Sequence, residues 1–153
     1  MNSTKRKLII CRGIPASGKT TWALEWLAQD PTKRARVNRD DIRWMVFNSG
    51  HGDNVDESIV TRIHNAALQQ LMYEGRDIVV DNTNLYKSNV SYLKKVAREK
   101  GYVVEFRDFI VTYEEALQRD RGRARPVGDD IVFSFFKRYT IDGAGHLPKP
   151  PLQ

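Results

Sequence analysis

Gly13-Ile14-Pro15-Ala16-Ser17-Gly18-Lys19-Thr20 follows the spacing G-x-x-x-x-G-K-[ST]. Residues of these types in this order can cradle a polyphosphate. Glycines let the chain curl, so that a run of backbone N–H groups backed by a helix N-terminus faces the phosphate oxygens. Lys19 would reach the β and γ oxygens, Thr20 would hold Mg²⁺, and Thr21 continues into the helix beside the loop. The ligand this predicts is ATP or another nucleoside triphosphate, with Mg²⁺.

Three later clusters carry further chemistry. Asn38-Arg39-Asp40-Asp41-Ile42-Arg43 sets two carboxylates and guanidiniums just after a strand. Asp40 suits a general base that accepts a hydroxyl proton, and Arg43, three residues on, shares its helical face and could bind an acceptor phosphate bidentately. Asp41 is a second acceptor contact; alternatively both acids only cap a helix. Ile78-Val79-Val80-Asp81 has the apolar-run-then-Asp form of a strand that holds Mg²⁺, although a turn would also use such an Asp. Asn82 and Asn84 add polar groups for the acceptor or for metal waters. Arg119 to Arg125 places four arginines in seven residues. As a lid it would neutralise charge developing on a transferring phosphoryl group; as a solvated loop it would be plain basic surface. Arg119 and Arg123 share a face if the preceding helix reaches that far.

These clusters need a scaffold. Leu8 to Cys11 reads as a first strand, and Lys19 to about Gln29 as a helix with Trp22, Ala23, Trp26 and Leu27 on one face. A second strand lies near Ala35 to Val37, a helix runs to about Phe47, and Asn48 to Asn54 is a loop. Asp56 to Glu74 suits a long amphipathic helix, followed by a strand at Ile78 to Val80, a helix over about Ser88 to Lys100 and a strand from Val103 to Ile110. Thr112 is a helix N-cap, and another helix covers about Asp129 to Tyr139. The segment Phe133-Ser134-Phe135-Phe136 is expected to pack a core, with an interface between copies of the chain as the alternative. Strands alternating with helices predict an α/β fold with a mostly parallel sheet and helices on both faces. Ligands in such sheets sit beyond the carboxyl ends of the strands, so the loops after the first three strands should converge.

The 153 residues are read as one domain over 1–153, with a lid at about 119–128 and an irregular tail at about 142–153. The apolar runs are too short to span a bilayer. The basic start leads straight into the first strand rather than into a signal sequence, so an intracellular, cytoplasmic location is expected. Cys11, the one cysteine, excludes an intrachain disulfide, and three scattered histidines do not suggest a transition-metal site. A formal charge of +6 favours a polyanionic partner, although nucleotide alone can attract cationic residues.

The P-loop, Asn-Arg-Asp-Asp-x-x-Arg, Asp-Asn-Thr-Asn and Arg-x-x-x-Arg, in this order and over nearly the whole chain, resemble the kinase domain of phage-type 5′-polynucleotide kinases. The resemblance implies a P-loop kinase fold with an arginine-bearing lid, and transfer of the ATP γ-phosphate to the 5′-hydroxyl of DNA or RNA in end repair, in host cytoplasm if the protein is viral. It makes Lys19 and Thr20 the phosphate and Mg²⁺ residues, Asp40 the general base, Arg43 the grip on the acceptor phosphate, and Arg123 and Arg119 the lid arginines. Whether Asp81 or Asn82 fills the third-motif role stays open. No Asp-x-Asp-Gly-Thr phosphatase signature is present, so a kinase-only protein is expected. A small-molecule P-loop kinase and an ATP-dependent nucleic-acid-binding module remain the alternatives.

Overall fold

The computed structural model describes residues 4–151. Among them four strands and six helices alternate in the order β1 (Lys7–Arg12), α1 (Lys19–Gln29), β2 (Arg34–Val37), α2 (Arg39–Phe47), α3 (Glu57–Tyr73), β3 (Asp77–Val80), α4 (Lys87–Glu99), β4 (Val103–Asp108), α5 (Tyr113–Arg121) and α6 (Asp129–Tyr139). The strands form one parallel sheet in the order β2-β3-β1-β4.

β1 and β3 are central and covered on both sides, which is why their residues are a continuous apolar run rather than an alternating one. Leu8 and Ile10 point with Ile78 and Val80 toward Leu68 and Met72 of α3 and Leu93, Val96 and Ala97 of α4. Ile9, Cys11 and Val79 point the other way, onto Ala23, Trp22 and Trp26 of α1. The Cys11 thiol is fully buried there, and burial pushes its pKa up to about 12. A third cluster joins Ile14 and Val111 to Ala116 of α5 and Val132 of α6.

Helix starts are set by local chemistry. Asn38 accepts the Asp41 N–H at 2.8 Å, and Asp40 and Asp41 in the first turn complement the helix dipole of α2. Asp56 and Thr112 cap α3 and α5 in the same way.

Three expectations are corrected. β4 ends at Asp108, not Ile110, because its pairing stops at Arg12, where β1 gives way to the P-loop. α5 ends at Arg121, so Arg119 and Arg123 do not share a helical face. Phe133 is half-exposed, edge-on to Tyr113, and only Phe135 and Phe136 pack against the third cluster. The segment from Asp142 has no helix or strand among the described residues, yet it is packed: Leu147 is buried, Ile141 donates to His146, and Arg12 donates to the Pro148 carbonyl. No helix among the described residues is long and apolar enough to cross a membrane.

Candidate active site

Beyond the carboxyl ends of β1, β2 and β3 lies a cleft of about 550 Å³. Its walls are the P-loop residues Pro15 to Thr21, the start of α2 with Asp40 and Arg43, the segment Asp81 to Asn84, and Arg119 and Arg123. The convergence required by the parallel sheet is therefore observed.

The P-loop is tightly folded. Gly13 donates to the Thr83 carbonyl, and a Cβ on it would lie 2.5 Å from the Ser17 hydroxyl. Gly18 adopts φ 100° and Ala16 φ 63°. The left-handed conformation costs a non-glycine residue roughly 1 kcal/mol, so the surrounding loop holds Ala16 against strain. The Lys19 ammonium is buried and donates to the carbonyls of Gly13 (2.9 Å) and Ile14 (2.7 Å) and to Ser17 Oγ (3.2 Å). Burial pulls its pKa down to about 8, against the opposing attraction of Asp81.

Asp81, 1% exposed, is a junction between strands. Its Oδ2 accepts from Thr20 Oγ1 at 3.0 Å and from Arg36 Nε at 2.8 Å, and Arg36 Nη2 lies 2.7 Å away. Asn38 donates to its carbonyl. Its Oδ1 is buried with no hydrogen-bond partner. Arg36 also holds Asp41 at 2.5 Å, which turns Asp41 out of the cleft and away from the acceptor role expected of it.

At the start of α2, Asp40 Oδ1 takes a 2.5 Å hydrogen bond from Arg43 Nη1. Arg43 is buried, and its Nε and Nη2 donate to the two oxygens of Glu57 at 2.7 and 3.0 Å. These contacts, with those from Arg39, hold the Glu57 carboxyl down to about 2. The fork uses three of its five N–H groups in these contacts and leaves two over. Asn82 accepts from the Arg39 backbone N–H (2.8 Å) and meets His64 Nε2 at 3.0 Å. Burial pushes His64 down to about 4, so its imidazole is neutral. Asn84 lines the cleft, but its amide is committed to the carbonyls of Cys11, Val80 and Asn82. It therefore ties β1 to the loop after β3.

Across the cleft, Arg119 is exposed at the end of α5, and Arg123 stands in the loop beyond it. That loop is organised by the buried Asp120, which accepts from the N–H groups of Val127 (3.0 Å) and Gly128 (2.9 Å) and contacts Arg123 at 3.4 Å. The arrangement brings the P-loop, the Asp40 carboxylate and the guanidiniums of Arg119 and Arg123 to one cavity.

An AAA domain family profile matches residues 8–139. The chain belongs to the AAA domain family. It is 24% identical over 151 residues to the "Putative bifunctional polynucleotide kinase/RNA ligase" of Autographa californica nuclear polyhedrosis virus, a match that covers 89% of this chain and 21% of that protein. In the structure of the Pnkp1/Rnl/Hen1 RNA repair complex, one chain aligns with TM-score 0.72 and 25% identity over 87% of this chain and 44% of that chain. The APS kinase CysC of Mycobacterium tuberculosis, in complex with AMPPNP and APS, aligns with TM-score 0.60 and 16% identity, covering 77% of this chain and 70% of that one, a likeness of fold. The fold is a P-loop kinase fold. The chain thus spans about a fifth of the viral relative and less than half of the repair-complex subunit.

This AAA domain also contains site residues that the motifs do not announce. Arg36 is an ordinary strand residue until the fold pairs it with Asp81. Glu57 sits beyond the loop that follows α2, 14 residues from Arg43, with no signal in its surroundings. Asp120 could have been found, since it is the one acid within Arg119 to Arg125.

Proposed function

We propose that the chain transfers the γ-phosphate of ATP to the 5′-hydroxyl of a DNA or RNA strand. The observation that carries the proposal is the pairing of Asp40 with Arg43 on the wall of the cleft that also contains the P-loop Lys19 and the lid Arg123. A phosphate bound by the backbone N–H groups of residues 16–20 would draw the Lys19 ammonium out of its contacts with the loop carbonyls. The acceptor oxygen then attacks the γ-phosphorus as its proton passes to Asp40, and the bond to the β–γ bridging oxygen breaks to release ADP. Little covalent help is needed, so positioning and charge stabilisation account for the rate. Arg43 would orient the acceptor through its free N–H groups, while Arg119 and Arg123 would meet the equatorial oxygens of the transferring group.

The donor set suits Mg²⁺. That ion is normally held by one or two protein oxygens together with phosphates and waters, and the buried, unpartnered Oδ1 of Asp81 beside the Thr20 hydroxyl offers such oxygens. Thr20 and Asp81 would hold it, and it would neutralise charge on the β and γ phosphates. Similarity to a polynucleotide kinase/RNA ligase and to a subunit of an RNA repair complex supports a strand end as acceptor, in nucleic-acid repair. The net charge of +6 supports a polyanion. Incubation with γ-labelled ATP and matched 5′-hydroxyl DNA and RNA oligonucleotides tests this: label on the strand supports it, and Asp40→Asn should retain ATP binding with most of the rate gone. No transfer to either strand would overturn it.

A further inference from the structure

A second cavity, of about 210 Å³, opens beside the cleft between α3 and α4. Thr61 and Asn65 of α3 and Tyr92 of α4 form its sides, and Asn89 is shared with the main cleft. Its floor is wired to the acceptor helix. Asn82 Oδ1 accepts from the Arg39 N–H, so the Asn82 amide N–H₂ donates to His64 Nε2. The His64 proton therefore resides on Nδ1 and is given to Asn65 Oδ1 at 3.2 Å. That bond leaves the Asn65 amide N–H₂ available to a ligand. The Tyr92 hydroxyl receives a 3.4 Å bond from Gln69 and keeps its own proton to donate.

The cavity corresponds to roughly seven water volumes of about 30 Å³. It has room for one heterocyclic ring system and not for a nucleotide. Its lining favours a neutral polar group over a phosphate, because its one cation, Arg39, is already neutralised by Glu57 and every other polar side chain is uncharged. Amides, a phenol and a hydroxyl instead match the alternating donors and acceptors along the edge of a base, which strand-binding proteins read once the base is unstacked.

We propose that this cavity is a subsite for the nucleobase of the acceptor's 5′-terminal nucleotide, read by Asn65 and Tyr92. The inference rests on the strand-kinase reading above. A base seated there places its sugar at the shared rim formed by Arg39, Asn82 and Asn89, beside Asp40. Binding of the base would be sensed at α2 through Asn82.

The test is steady-state transfer by the full chain to two 5′-hydroxyl oligonucleotides, identical except that one carries an abasic tetrahydrofuran residue at the 5′ end. The abasic acceptor should show a KM raised about tenfold or more, as expected for the loss of the hydrogen bonds to Asn65 and Tyr92. Asn65→Ala and Tyr92→Phe should each raise KM for the base-bearing strand several-fold, with kcat within about twofold and with KM for the abasic strand and for ATP unchanged. Equal KM values for the two strands, or variants that weaken both strands alike, would overturn the subsite while leaving the kinase standing. Absence of label on every strand would remove the kinase reading and the subsite together.

Discussion

Asp120→Ala is the perturbation that most directly separates a built lid from a loose basic loop. The carboxylate is 1% exposed and receives the N–H groups of Val127 and Gly128 at 3.0 and 2.9 Å. Gly128 is the N-cap of α6 and supplies no side-chain cap, so Asp120 serves that helix terminus from a distance. Hydrogen bonds to a charged acceptor contribute about 1.5–3 kcal/mol each, and Ala would leave two donors without it, a loss of about 3–6 kcal/mol. Water can re-enter an exposed loop, so most of this appears as local opening of residues 122–128 rather than as global unfolding. Backbone hydrogen exchange at Val127 and Gly128 should accelerate by at least two orders of magnitude, while exchange in β1 and β3 is unchanged. With Arg123 no longer fixed, kcat should fall on the order of a hundredfold, toward the value of Arg123→Ala, because positioned arginines carry much of the rate in phosphoryl transfer. Asp120→Asn, which keeps one acceptor oxygen, should fall between the two. Unchanged protection of Val127 and Gly128 in Asp120→Ala, or full kcat alongside a damaged Arg123→Ala, would refute the reasoning.

Three other outcomes follow from the charges of the site. Arg36→Ala strands the buried Asp81 carboxylate and should cost about 3–5 kcal/mol in urea denaturation, most of which Arg36→Ala/Asp81→Asn recovers, since no unpaired charge remains. His64 is lowered from 6.5 to about 4, so the unfolded chain takes its proton first: stability is unaffected above pH 6.5 and falls between 6.5 and 4, by about 3 kcal/mol in all, a slope that His64→Gln removes from the denaturation midpoints. Lys19, lowered to about 8, keeps its ammonium at pH 7 and loses it above, so calorimetric ATP affinity should hold constant below pH 7 and weaken by up to about tenfold per unit above 8; Lys19→Met should bind more weakly and flatten the curve.

The sheet was legible because Leu8 to Cys11 and Ile78 to Val80 are apolar on every residue, a pattern that only a doubly covered strand tolerates. The P-loop was legible because phosphate binding by backbone demands glycine at fixed spacing. What escaped were partners distant in sequence. Arg36 lies 45 residues from Asp81, and Glu57 lies 14 from Arg43 across an intervening loop. Local pattern cannot register such pairs, because they meet only when β2 lies beside β3 and α2 packs on α3. Asp41 shows the reverse: beside Asp40 in sequence it looked equivalent, but one position around a helix is about a hundred degrees, and the two carboxylates face different neighbours. Asn84 was read as a ligand contact because side-chain amides can serve either ligand or backbone, and three carbonyls claim it first.

Cys11 gives the molecule a clock. Its sulfur sits in the layer between β1 and α1 with no exposed surface, and its pKa of about 12 leaves almost no thiolate at neutral pH. Alkylating reagents attack the thiolate, so the folded protein is inert to them on both counts. Labelling must await a fluctuation that lifts α1 from the sheet, and when reclosing is fast its rate is the free-thiol rate scaled by the opening equilibrium constant. Since α1 begins at Lys19, a bound triphosphate fastens the same helix to the end of the same strand. Nucleotide should therefore slow the clock in proportion to its saturation, which would turn a silent core sulfur into a readout of occupancy some residues away.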